Sequence, residues 1–193
     1  VRRGFKKEAK WIARQVRDDL GLSLTDPLDP WRLAELLDIP VLRLSDFQES
    51  AEGAYHYFRE RGRSVFSAVT VFCGNRRLIV HNDSHSPGRQ ASNVCHELAH
   101  GLLLHAPTPI LDDKGCRYWS KEIEEEANWL SGVLLVPDEA AIAVVKGGID
   151  LARAAALYGV SVKMMTFRIN VSGARKRVRR FSRTSRQSTV RAR

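Results

Sequence analysis

Apolar residues recur three and four positions apart over Phe5, Ala9, Ile12, Val16 and Leu20, which predicts an amphipathic helix ended by Gly21. In LTDPLDPWRLAELLDIP, Asp29 is placed to cap a second helix that has Pro30 at its first position, Leu33, Leu36 and Leu37 inside, and Pro40 as its stop. The period then changes. VLRLS (41–45) predicts a short strand, and 46–63 shows no period and is expected to be irregular. SVFSAVTVF (64–72) and RRLIVHN (76–82) are β-branched or aromatic runs with a Cys-Gly-Asn-Arg turn between them, a hairpin signal. Helical spacing resumes at about Gln90 and runs to Leu104, where APTP breaks it. A polar loop leads to SKEIEEEANWLSGVLLVP (120–137), whose Ile123, Ala127, Leu130 and Leu134 form a buried stripe. Helices are predicted over 138–146, 149–157 and 162–171, with a turn at 157–161 between the last two. Helices, a small sheet and helices again predict an α+β domain.

Composition narrows the class. A chain of 193 residues, 44 % hydrophobic and 27 % charged, has the make-up of a soluble globular protein with one core of ordinary size. No window approaches the roughly 18 consecutive apolar residues of a membrane span. The basic N-terminal stretch is followed by no apolar run and no small-residue cleavage site, so a cytoplasmic location is expected. Cys73, Cys95 and Cys116 are odd in number and widely spaced, which suggests free thiols. The net charge of +9 is local: the last twenty residues carry nine Arg or Lys and no acid, leaving 22 basic against 22 acidic residues elsewhere. The expected organisation is a main domain over 1–147, a small helical segment over 148–172 and a basic, disordered tail over 173–193. Weak nucleic-acid contact is the functional use such a tail would have.

The chemistry concentrates in NVCHELAHGLLLH (93–105). On a helix, His96 and His100 are separated by about 400° of rotation, so both imidazoles leave one face within reach of one ion. Two neutral imidazoles and a carboxylate suit Zn2+ with a water in the fourth position, and Glu97 is placed to take that water's proton without being a ligand. His105 would lie about 140° from His100 on a continuing helix, off the ligand face, and reads as a helix-end or surface histidine. Glu124 is the better third ligand, bordering the Ala127 and Leu130 stripe with Asn128 four residues on to accept a hydrogen bond from a ligand imidazole. Glu125 and Glu126 stay open as alternatives, since acids near a helix start are often only favourable charges at the dipole. Tyr118, Trp119, His105 and His56 are conceivable donors to a developing oxyanion, and the residue types do not choose among them.

RQASNVCHELAHGLLLH followed by EIEEEANWLSGVLLVP resembles the ImmA/IrrE family of bacterial zinc metallo-endopeptidases, whose pattern is HExxH and then a Glu-x-x-Ala-Asn/Asp helix running into Leu-Leu-x-Pro. The likeness extends over about residues 5–172, with Trp129 and Val136 standing where the family commonly has phenylalanine and methionine. The resemblance implies a zincin-like fold with His96, His100 and Glu124 as zinc ligands and Glu97 as general base. It also implies cleavage of a helix-turn-helix (XRE-type) repressor, which would release stress-response or mobile-element genes.

Two other functions compete. A DNA-binding regulator is suggested by a loose helix-turn-helix spacing over Ala155, Gly159, Val160, Ser161 and Met165, yet the second helix offers only Lys163 and Arg168 to read bases and has Met164, Met165, Phe167 and Ile169 to bury. A zinc site that senses without turnover would have no need of Glu97 beside its open position.

Overall fold

The computed structural model describes residues 1–74, 76–106 and 120–181. Helix α1 (Phe5–Asp19) buries Phe5, Ala9, Ala13 and Val16 along one face, which packs on the later helix α5 (Lys121–Leu135). Its last turn also buries Arg17, whose guanidinium donates to the carbonyls of Ser23 at 2.9 Å, Asp26 at 2.8 Å and Leu134 at 2.9 Å. Helix α2 (Pro30–Leu36) begins as its sequence predicts: the Asp29 carboxylate accepts the Trp31 N–H at 3.0 Å, and Pro30 opens the first turn.

Strands β1 (Val41–Arg43), β2 (Ala68–Cys73) and β3 (Arg76–His81) form one sheet in the order β1-β3-β2, with β1 parallel and β2 antiparallel to the central β3. Strand β1 is shorter than expected because Asp46 accepts the Arg43 N–H at 2.8 Å and folds Leu44–Phe47 into a 3-10 turn. The stretch expected to be irregular contains α3 (Glu52–Arg59). Only Tyr55 of that helix is buried and no side chain caps its start, so it has neither an apolar stripe nor a cap for sequence reasoning to find.

Helix α4 (Pro87–Leu102) starts three residues earlier than its apolar period suggests, because Pro87 fits the first position of a helix. It lies across β2 and β3 and packs on α5 (Lys121–Leu135), with Val94, Cys95, Leu98, Ala99, Ala127, Leu130 and Leu134 all in one core cluster. Helices α6 (Asp138–Lys146), α7 (Leu151–Leu157) and α8 (Val162–Val171) follow, and 174–181 is helical where the sequence predicts a disordered tail. The polar loop expected before α5 and the rest of the tail lie outside the described residues, apart from the loop's first and last positions.

Helix α8 is tied into the core. Arg168, 1 % exposed, donates to the Val136 carbonyl at 2.8 Å and to Asp138 at 2.9 Å, so it is closed to any groove-reading role. Met165 and Ile169 are buried beside it, whereas Phe167, expected in the core, is 44 % exposed with its ring edge against Trp129. Among the described residues no single helix is long and apolar enough to cross a membrane.

Leu130 is fully buried where α5 faces α4. Leu130→Ala is expected to cost about 3 kcal/mol, seen as a fall in the urea unfolding midpoint with the slope unchanged.

Candidate metal centre

Two adjacent turns of α4 aim the imidazoles of His96 and His100 at the same point, with their Nε2 atoms 3.1 Å apart. The first turn of α5 brings Glu124 to that point, Oε2 standing 3.2 Å from His96 Nε2 and Oε1 3.7 Å from His100 Nε2. These three residues form the one group of described His, Cys, Asp and Glu side chains able to share an ion, with their ligand atoms all within 4.8 Å of one another. Donors held about 2.0 to 2.1 Å from a tetrahedral ion stand roughly 3.3 Å apart, so the observed separations suit one small divalent cation. All three side chains are half-buried, which leaves one side of the site open to solvent.

The neighbouring acids face elsewhere. Glu125 lies 3.0 Å from the Val1 nitrogen, and buried Glu126 accepts from the Arg2 backbone N–H at 3.2 Å and pairs with its guanidinium at 3.2 Å. Asn128, expected to hold a ligand imidazole, is exposed and takes neither ring: His96 Nδ1 is buried without a hydrogen-bond partner, and His100 Nδ1 faces His105 Nδ1 at 2.9 Å. Four residues past Glu124 the helix has risen about 6 Å, farther than a short amide reaches back.

His105 is the helix-end histidine that its spacing suggests, with its ring turned back to His100. Helix α4 stops at Leu102, and Leu104 adopts a left-handed backbone with φ 52°. The N–H of Leu104 then bonds the Gly101 carbonyl at 3.1 Å and that of His105 the His100 carbonyl at 3.0 Å, the two closures of a Schellman cap. The reversal brings the His105 ring back to within 5.0 Å of the His100 ring.

Glu97 points to the sheet side of the site. Thr70, in the middle of β2, donates its hydroxyl to Glu97 Oε2 at 2.6 Å, which leaves Oε1 available. Sequence reasoning missed Thr70, although a hydroxyl at the centre of a β-branched run was a usable signal. His56 is exposed on α3, and its nearest charged groups are Glu52 and Glu60 at 4.0 Å, so it is absent from the site. Tyr118, Trp119 and Cys116 lie outside the described residues, as does the Cys73 side chain.

Electrostatics favour metal binding. Burial, helped by the neighbouring His96, holds His100 well below its ordinary pKa and so keeps it neutral, the form that donates a lone pair. Burial also lowers His105. The Cys95 thiol is pushed up to about 12 by complete burial and sits 3.6 Å from the Ser131 carbonyl, a core thiol rather than a ligand. A cleft of about 810 Å3 begins at Gly101, next to His100, and is lined by Ile39, Pro40, Arg76 and Arg77. A Cβ on Gly101 would meet the Arg77 guanidinium at 2.8 Å, so glycine is what lets that arginine lie against the helix.

Two imidazoles one turn apart, a carboxylate from a second helix and the Thr70-bonded carboxylate of Glu97 on the same helix as the imidazoles suit a metallopeptidase-type site. The chain belongs to the IrrE N-terminal-like domain family of peptidases, whose description matches residues 34–170, well over half its length and all of α4 to α7. No curated protein and no solved structure matches it.

Metal-depleted protein is expected to take up one divalent ion per chain by elemental analysis, to lose it on His96→Ala or Glu124→Ala, and to keep it on Glu97→Gln. Leu104→Gly is expected to raise stability by about 0.5 to 1 kcal/mol in thermal unfolding, since it relieves a left-handed leucine that is 82 % exposed and contributes little packing.

Proposed function

We propose that the protein is a zinc-dependent endopeptidase that cleaves a helix-turn-helix (XRE-type) repressor in the cytoplasm and so derepresses stress-response or mobile-element genes. The observation that carries the catalytic part is the convergence of His96 Nε2, His100 Nε2 and the Glu124 carboxylate beside Glu97. The donor set of two imidazoles and one carboxylate makes zinc the default ion. Family membership supports the peptidase class, and the likeness to the ImmA/IrrE pattern supports the repressor as substrate.

Zinc held there would polarise the scissile carbonyl and make the attacking water more acidic. Glu97 would take the proton from that water through Oε1 and return it to the leaving amine nitrogen, while the Thr70 hydroxyl holds Oε2 still. Strand β2 pairs only with β3 among the described strands, so its outer edge offers unpaired backbone groups that an extended substrate segment could bond.

A DNA-binding regulator is the second reading, supported by the run Arg175, Lys176, Arg177, Arg179 and Arg180 on the last described helix. Burial of Arg168 removes one of its two base-reading candidates, which leaves non-specific, salt-sensitive contact through the tail as the nucleic-acid role.

The test is intact-mass analysis of a helix-turn-helix repressor from the same genomic neighbourhood after incubation with zinc-loaded protein. Two new fragments are expected with wild type, and Glu97→Gln is expected to form them ~10²- to 10⁴-fold more slowly while holding as much zinc. Equal cutting by both proteins would remove Glu97 from the chemistry. An uncut repressor, together with a salt-dependent shift of a specific operator duplex by this protein alone, would move the assignment to the regulator.

A further inference from the structure

We infer that His105 is the positioning residue for the metal ligand His100, fixing its tautomer through the Nδ1 to Nδ1 contact. The inference rests on the metal site proposed above and goes beyond it by giving a role to a residue outside the ligand set.

Two ring nitrogens 2.9 Å apart require one to donate and the other to accept. If His105 donated, the His100 proton would sit on Nε2, aimed at His96 Nε2 and Glu124, and would block the position an ion must take. If His100 donates, its Nε2 lone pair points there instead. The second arrangement is the one compatible with the metal, and His105 Nδ1 is the acceptor that makes it stable. Among the described residues His96 has no counterpart to this: its Nδ1 is buried without a partner. His100 is thus the one ligand imidazole whose orientation a described residue supports.

The backbone supports the same assignment. His105 reaches His100 only because Leu104 turns the chain left-handed and the His105 N–H closes on the His100 carbonyl. Ring and backbone of His105 therefore both grip the same residue. A bulky side chain in that conformation is unfavourable, and it persists where the surroundings over-determine it.

The experiment measures Zn2+ affinity by competition with a chromogenic chelator for the full chain, for His105→Leu and for His105→Gln, with ¹⁵N NMR of the imidazole tautomers of each. Wild type is expected to show His100 protonated at Nδ1. His105→Leu is expected to lose roughly 10- to 100-fold in zinc affinity and to mix the tautomers, as removal of an outer hydrogen-bond partner does. His105→Gln, whose amide oxygen can accept the same proton, is expected to restore most of the affinity. Undiminished affinity and an unchanged tautomer in His105→Leu would overturn the role. So would equal weakening in both variants accompanied by a lower melting temperature of the metal-free protein, which would mark His105 as merely structural. Failure of wild type to bind zinc at all would instead overturn the metal site, a result distinct from either.

Discussion

The site depends on how α4 lies against α5. Two histidines on one helix can share an ion with a carboxylate on another only if the two backbones come close at one register, and small residues permit that approach. Ala99 and Ala127 are fully buried in the shared core, with Cys95, Leu98, Leu130 and Leu134 filling the space around them. Moving α5 by one residue would turn Glu124 through about 100° and bring up Ile123 or the Glu125 that the Val1 nitrogen holds.

Buried arginines hold α5 in that register. Arg17 from α1 donates to the Leu134 carbonyl and Arg168 from α8 to the Val136 carbonyl, so the last turn of α5 is satisfied by two guanidinium groups at its negative end. Desolvation lowers the pKa of both, yet each remains charged at any ordinary pH. Asp138 completes the arrangement by meeting Arg168 at 2.9 Å and Lys10 at 2.7 Å, which joins α1, α6 and α8 around the end of the ligand-bearing helix. Helix α8 is in this way part of the support for the candidate metal centre.

The long periodic elements were legible because each carries its own evidence. Asp29 and Pro30 mark the start of α2, the 3.6-residue stripe marks α4 and α5, and alternating β-branched residues mark the hairpin. Helix α3 was not legible, since it is two turns long, buries only Tyr55 and has no side chain capping its start. The basic stretch at 174–181 failed for a related reason: its charge suggests disorder, but Ala174 is buried against the core.

The HExxH pair needed only the pitch of a helix, so His96, Glu97 and His100 followed from sequence alone. The short acidic run of α5 placed the third donor within three residues, and packing then brought Glu124 to the histidines and turned Glu125 and Glu126 toward the N-terminal segment. Everything around the ligands was decided by tertiary structure. Thr70 meets Glu97 across 27 residues, a contact no local period encodes. His105 reaches His100 because a helix stops two residues sooner than its apolar pattern and reverses through a left-handed leucine. Local sequence sets the pitch, and so the face, on which a side chain leaves its helix; where that helix ends, and what it meets there, depends on the rest of the chain.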